Sequence, residues 1–286
     1  MLPRRKFALT LPSTVLVLGD RTLIMGVLNV TPDSFSDGGR FLDPEKAAAH
    51  AVAMQRAGAD LIDLGGESTR PGSAGISTEE EWRRIQPVLK LLKQRRFRIP
   101  ISVDTTKSGV ALLAVRAGAE MINDTSGLRH DPQLARVAKK HQVPLVLMHI
   151  RGTPRTMQTL PPAKNIWREV VKGLRWSVEQ AQRAGLPRSQ LVIDPGIGFG
   201  KTVMQNFELL RELDHLHAFK LPLLIGASRK TFIGKALDNA PPDQRLWGTA
   251  ATVTAAILAG AHIVRVHDVA EMAQVVRVAD AILRSN

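Results

Sequence analysis

Cysteine is absent from the 286 residues, which removes disulfides, thiolate metal ligands and cysteine nucleophiles and leaves the fold to rest on its core. A reducing, cytoplasmic setting suits such a chain. Tyrosine is also absent and aromatic residues make up only 4%, so a stacking platform for single-stranded nucleic acid has little support. No uninterrupted apolar run approaches the ~20 residues that a membrane span needs. The start, Met1 to Lys6 followed by Phe7 to Leu18, imitates an export signal, but Pro12, Ser13 and Thr14 interrupt it and no small-residue cleavage site follows. No segment has the composition of a disordered tail.

What is present is a 44% hydrophobic, 23% charged chain with a formal net charge of +13. A basic balance favours anionic partners, whether nucleic acid, a membrane surface or phosphorylated small molecules. Apart from Arg4-Arg5-Lys6 and Lys93 to Arg98 the basic residues are spread along the chain, and a solvated basic surface accounts for most of them.

Short β-branched runs alternate with longer amphipathic stretches, the pattern of repeated βα units around a parallel sheet. Strands are predicted at Leu23–Leu28, Leu61–Leu64, Ile99–Asp104, Met121–Asn123, Leu145–His149, Leu191–Asp194, Leu223–Gly226 and Ile263–Val266, about the eight that a closed (β/α)8 TIM barrel requires. Asp43-Pro44-Glu45, Ser77-Thr78-Glu79-Glu80 and Asp131-Pro132 put an oxygen acceptor ahead of a first helical turn. Gln55 to Asp60, Val115 to Glu120 and Leu258 to His262 share another device, a helix that ends at Gly and turns within a few residues into a strand. Ahead of the first barrel strand, Phe7–Leu9 and Val15–Leu18 around Pro12-Ser13 predict a β-hairpin at the bottom of the barrel, within an extension over 1–20. No linker divides the chain, so residues 1–286 are expected to form one domain.

Polar residues follow nearly every predicted strand: Asn29, Glu67 to Arg70, Asp104, Asn123-Asp124, His149, Asp194, Ser228 with Lys230, and Arg265 with His267. In a (β/α) barrel these positions converge on one mouth. Many such Asp, Asn, Ser and Thr residues only cap the next helix, but Lys230, Arg265 and His267 cannot. Gly196 to Thr202 ends in the Gly-Lys-Thr of a nucleotide-binding P-loop, yet Pro195 stands where that motif needs its leading Gly. Those glycines instead suit a backbone that passes close to a flat ligand.

The stretches Met25 to Gly39 and Asp63 to Gly72 resemble the two signature openings of the dihydropteroate synthases. Ser102 to Thr105, Ile122 to Asp124, Leu147 to His149, Asp194 to Thr202, Ser228 to Lys230 and Arg265 to Asp268 resemble the remaining motifs, in the family's order from about residue 20 onward. The resemblance implies a pterin-binding barrel that condenses hydroxymethyl-dihydropterin diphosphate with p-aminobenzoate, giving dihydropteroate and diphosphate for folate biosynthesis. It implies pterin recognition by Asp104, Asn123, Met148, Asp194 and Lys230. Asn29, Thr69, Arg265 and His267 are the implied diphosphate residues, with Asn29 also meeting a Mg²⁺ cofactor. Phe35, Thr69, Arg70, Pro71, Phe199, Lys230 and Thr231 are implied for p-aminobenzoate, which sulfonamides mimic in that family. Asn29, Asp37, Lys230, Arg265 and His267 are the implied catalytic set.

A pterin edge carries an amino group, a ring N–H and an oxo group, so a selective pocket needs a carboxylate on one side and a cation on the other. The family resemblance also implies a homodimer through the later helices, to which the Ala-rich stretch Ala250 to Ala261 could contribute. No nucleic acid or membrane partner is expected. Two rivals stay open on sequence: a catalytically idle pterin-binding paralogue, and a pterin-dependent methyltransferase domain on the same barrel.

Overall fold

The computed structural model describes residues 4–31, 43–68, 72–73 and 75–285. Their chain order is β1 (Phe7–Thr10), β2 (Val15–Leu18), β3 (Leu23–Asn29), α1 (Pro44–Ala57), β4 (Leu61–Gly65), α2 (Thr78–Gln94), β5 (Ile101–Asp104), α3 (Ser108–Arg116), β6 (Met121–Asp124), α4 (Gln133–His141), β7 (Leu145–Met148), α5 (Ile166–Arg183), β8 (Leu191–Asp194), α6 (Val203–Arg211), β9 (Leu224–Ile225), α7 (Thr231–Ala236), α8 (Leu246–Leu258), β10 (Ile263–Val266) and α9 (Val269–Arg284). Strands β3 to β10 form one eight-stranded sheet in the order β8-β7-β6-β5-β4-β3-β10-β9, with every pairing parallel. At its two ends Ile193 bridges Leu223, and the Ile193 N–H donates to the Pro222 carbonyl at 3.0 Å. The sheet therefore curls into a nearly closed barrel with helices outside it, as the alternation of elements predicts.

Local chemistry explains most boundaries. The Asp43 side chain accepts from the Glu45 N–H at 2.9 Å and Pro44 opens α1, while Ser77 accepts from the Glu80 N–H at 3.2 Å to start α2. Asp131 does more than its sequence position implies: one oxygen accepts from Gln133 N at 2.9 Å and the other from Ser108 N at 2.8 Å, so it serves the first turns of α4 and of α3. Gly58, Gly118 and Gly260 take the left-handed conformation, with φ of 105°, 113° and 91°, where each helix turns toward the next strand. The strand expected over Leu145–His149 ends one residue early, at Met148, and two others are each two residues shorter than expected. The one over Ile99–Asp104 begins at Ile101, because Pro100 has no N–H to give the ladder. Near β9, the Leu223 N–H donates to the His262 ring at 3.1 Å instead of to a neighbouring strand.

Side chains two residues apart on a strand share a face, and that alternation sorts the interior from the shell. Leu23, Met25, Leu61, Met121, Val146, Val192, Leu224 and Ile263 point inward and form one buried cluster, whereas Ile62, Leu64, Val103 and Ile122 belong to the layer beneath the helices. The predicted hairpin joins the inner cluster. β1 and β2 pair antiparallel from Phe7↔Leu18 to Thr10↔Val15, and Leu9, Leu11 and Leu18 fill the bottom of the barrel. His262 fastens this plug, since its Nδ1 accepts from the Leu223 N–H and its Nε2 lies 3.0 Å from the Arg5 carbonyl, with Phe7 edge-on at 5.2 Å. Arg4 adds a buried ion pair with Asp280 and donates to Thr22 Oγ1 at 2.6 Å.

Two outcomes follow from the plug. Leu9 is 0% exposed and Val17, on the opposite face, is 54% exposed. In urea titrations Leu9→Ala should lose about 2–5 kcal/mol of stability and Val17→Ala well under about 1. Burial pushes His262 down to about 4, and its hydrogen bonds use the neutral ring. The unfolded chain takes up this proton below about 6.5 and the folded chain does not until about 4, so the contribution of His262 falls as pH drops through that window. The stability lead of the parent over His262→Gln should shrink over the same window, and a lead independent of pH would refute the assignment.

Candidate active site

Two residues above the apolar floor, the inward positions change character. Asp63 follows Leu61, Asn123 follows Met121, Met148 follows Val146, Asp194 follows Val192 and Arg265 follows Ile263, while Asp104 lies two beyond Ser102 and Asn29 four beyond Met25. The barrel thus carries a polar layer at the carboxyl ends of its strands.

Arg265 is its hub. The guanidinium donates from Nε to Asp63 Oδ2 at 2.6 Å and from Nη2 to Asp104 Oδ2 at 2.9 Å, and Asp63 Oδ2 also accepts from Asn123 Nδ2 at 2.8 Å. Two buried carboxylates thus face one cation. Burial first, and then the charge of Asp63, push Asp104 up to about 8 against the pull of Arg265. Burial works against the Arg265 charge, but the two carboxylates outweigh it and raise its pKa.

Across the mouth stand Asp194 and Lys230. Asp194 Oδ1 accepts from the Gly196 N–H at 2.7 Å; burial raises its pKa and Lys230 opposes the rise. Lys230 donates to the Ile197 carbonyl and its nitrogen lies 4.0 Å from the centroid of the Phe199 ring. Burial pushes the ammonium down to about 7, with Asp194 resisting. Gly198 makes this path possible: at φ +85° a Cβ there would lie 2.6 Å from Lys230 Cδ. Met148 packs with Ile150, Met157 and Phe199 beside the same space.

His267 sits at the end of β10, where Ser228 Oγ lies 3.2 Å from its backbone N and 3.0 Å from its Nδ1. Thr231 is exposed at the first turn of α7. Asn29 is half-buried at the end of β3, and Gly65 leaves a slot beside it: a Cβ there would lie 3.2 Å from Asn29 Oδ1 and 3.5 Å from Asp104 Cβ. The site positions Phe35, Asp37, Thr69, Arg70 and Pro71 lie outside the described residues. Beyond Phe199 a cavity of about 770 Å³ continues outward past Ser68, Ser126, Arg129 and Arg155.

Several strand-end polar groups are committed to structure instead. Asp124 accepts from Ser126 N at 2.8 Å and Leu128 N at 2.5 Å, shaping its own turn. Glu67 accepts from Lys107 Nζ and from the Ile76 N–H. The Gly-Lys-Thr stretch is also explained. Lys201 is buried and donates to the carbonyls of His149, Gly196 and Phe199 at 3.0, 2.8 and 3.1 Å, with His149 Nδ1 at 3.1 Å. It folds the loop on itself and presents no charge to a phosphate. His149 faces this clamp, and burial, then Lys201, push it down to about 2, so its ring is neutral. Asp63 was not singled out by sequence. The spacing Leu61-Asp63-Gly65, which puts it on the inward face of β4, is the signal that finds it.

Carboxylates, a carboxamide and two cations around one slot suit a flat heterocycle with donors and acceptors along an edge. The model of the family described as "Pterin binding enzyme" matches residues 25–267. A dihydropteroate synthase of Synechocystis sp. is 49% identical over 93% of this chain and 92% of its own. Among solved structures, a Yersinia pestis dihydropteroate synthase with a sulfonamide drug superposes with a TM-score of 0.93 at 42% identity, covering 98% of this chain and 100% of that one. A Clostridium difficile dihydropteroate synthase, solved in the presence of pteroic acid, gives 0.86 at 46% identity over 94% of this chain and 99% of that one.

The clamp can be tested without any ligand. Lys201→Met leaves three carbonyls without their buried donor and should cost about 3 kcal/mol or more in denaturant unfolding, against less than about 0.5 for the exposed Lys164→Met. Equal losses would show that Lys201 does not hold the loop.

Proposed function

The chain belongs to the dihydropteroate synthase family, and from that premise we propose that its barrel mouth joins a dihydropterin diphosphate to p-aminobenzoate with release of diphosphate. The observation that carries this reading is the convergence of Asp104, Asn123, Asp194, Lys230 and Arg265 on one polar layer. Asp194 and the Asn123 carboxamide supply acceptors for the amino group and ring N–H of the pterin edge, and Lys230 supplies a donor for its oxygen. Met148 and Phe199 give the ring apolar contact.

In the reaction the arylamine nitrogen bonds to the exocyclic methylene carbon of the pterin. The carbon–oxygen bond to diphosphate breaks with its electron pair on the leaving oxygen, and the new secondary amine sheds one proton to water. Arylamine nitrogen is neutral near neutral pH, so no strong base is required, and none is needed from His149 or Asp124. The chain's task is to hold the two reactants in reach and to accommodate the leaving charge. Arg265 uses Nε and Nη2 on carboxylates; its Nη1 and the His267 ring are the cationic or donor groups assigned to the diphosphate, together with Thr69. Phe35, Arg70, Pro71 and Thr231 are assigned to p-aminobenzoate, and Asp37 to the catalytic set.

A Mg²⁺ ion fits this donor set. No group of three His, Asp or Glu able to hold a metal exists among the described residues, so a cation here would take one oxygen from Asn29 and the rest from water and diphosphate, as Mg²⁺ readily does. When bound, it neutralises charge on the departing diphosphate. A homodimer is supported by Met204 on α6, Trp247 on α8 and Leu237 just past the end of α7, which are 74%, 77% and 40% exposed on neighbouring elements. No helix among the described residues is long and apolar enough to cross a membrane; a cytoplasmic setting, which the cysteine-free sequence suits, belongs to the same proposal.

Diphosphate release in the presence of both substrates and Mg²⁺ tests the reading. Release should depend on p-aminobenzoate, and Lys230→Ala or Asp104→Asn should weaken dihydropterin diphosphate by at least about tenfold. No release above the protein-free background would favour the idle pterin-binding protein.

A further inference from the structure

One buried carboxylate lies behind the ligand-facing residues and touches two of them. Asp63 is 0% exposed on β4, facing into the barrel below Gly65. A single oxygen, Oδ2, accepts from Arg265 Nε at 2.6 Å and from Asn123 Nδ2 at 2.8 Å. The other, Oδ1, has no hydrogen-bond partner among the described residues. Leaving a buried carboxylate oxygen unpartnered is costly, so the side chain is oriented by what Oδ2 holds.

An asparagine carboxamide has an accepting end and a donating end that differ little in shape, and only its hydrogen bonds decide which end faces where. Asn123 must give its NH₂ to Asp63, which leaves Oδ1 as the end free for a ligand. On the reading above, that oxygen meets N–H groups of the pterin edge. The same Asp63 oxygen fixes the Nε side of the Arg265 fork, while Asp104 takes Nη2 at 2.9 Å, so the guanidinium plane is held at two points. We propose that Asp63 is a positioning residue for pterin recognition, setting the polarity of the Asn123 carboxamide and the plane of the Arg265 guanidinium through one shared oxygen. The inference rests on the proposed synthase activity.

The hold is by acceptor geometry. Both groups facing Oδ2 are donors, so in Asp63→Asn the amide oxygen occupies that place and the new NH₂ falls where Oδ1 already lacks a partner. Asp63→Ala removes the acceptor altogether, and Asp63→Val does so while keeping nearly the same volume. Steady-state diphosphate release, with each substrate varied separately, reads the difference. Asp63→Ala and Asp63→Val should raise KM for the dihydropterin diphosphate by at least about tenfold while KM for p-aminobenzoate stays within about twofold, and Asp63→Asn should return the pterin KM to within about threefold of the parent.

If the parent itself releases no diphosphate, the activity is wrong. If it does, four results would overturn the positioning role: an unchanged pterin KM in both apolar variants, equal rises for both substrates, Asp63→Asn as poor as Asp63→Ala, or failure of both apolar variants to fold. The last would assign Asp63 a structural part only.

Discussion

Side chains alternate across a strand, and when eight parallel strands close on themselves one of the two faces becomes an interior with no exit except at the ends. The layers of this protein follow from that constraint. At one end Leu9, Leu11 and Leu18 of the hairpin complete an apolar floor with Leu61, Met121, Val192 and Ile263. Two residues further along the same strands, at the wet end, stand Asp63, Asn123, Asp194 and Arg265. Floor and site are consecutive rungs of one ladder, so a shift of register in any strand would exchange an apolar rung for a polar one.

Concentrating charge in such a confined space has a cost that the structure offsets by pairing. Arg265 stands between Asp63 and Asp104, and Lys230 stands opposite Asp194 with the Phe199 ring beneath it. Burial still tells on these groups: it raises the Asp104 carboxyl against the pull of Arg265 and lowers the Lys230 ammonium against the pull of Asp194. Groups in this state are poised to exchange internal partners for a ligand's.

The loop after β8 shows the complementary principle, a charged side chain spent wholly on architecture. Lys201 gathers three carbonyl groups and the His149 ring, which fixes the turn carrying Ile197 and Phe199 against Lys230. Gly196 sits where a Cβ would come 1.9 Å from the His149 carbonyl oxygen, so the tight turn and the clamp require each other. A lysine after a glycine-rich turn thus stabilises the wall of the site and contacts no phosphate.

The helices and strands are legible in the residues themselves. Hydrophobic runs located the barrel strands and the hairpin, Asp43 and Ser77 marked helix starts, and Gly58, Gly118 and Gly260 marked helix ends, because each depends on hydrogen bonds and torsions within a few residues. The family motifs also brought Asp104, Asn123, Asp194, Lys230 and Arg265 forward as one set. What these groups do to one another depends on the folded barrel. Arg265 meets Asp63 and Asp104 across separations of 202 and 161 residues, Asp131 serves a second helix as well as its own, and His149 and Lys201 turn from the mouth to each other. Such pairings arise when the barrel closes and sets the register of distant strands, and local periodicity carries no record of which distant partner will be opposite.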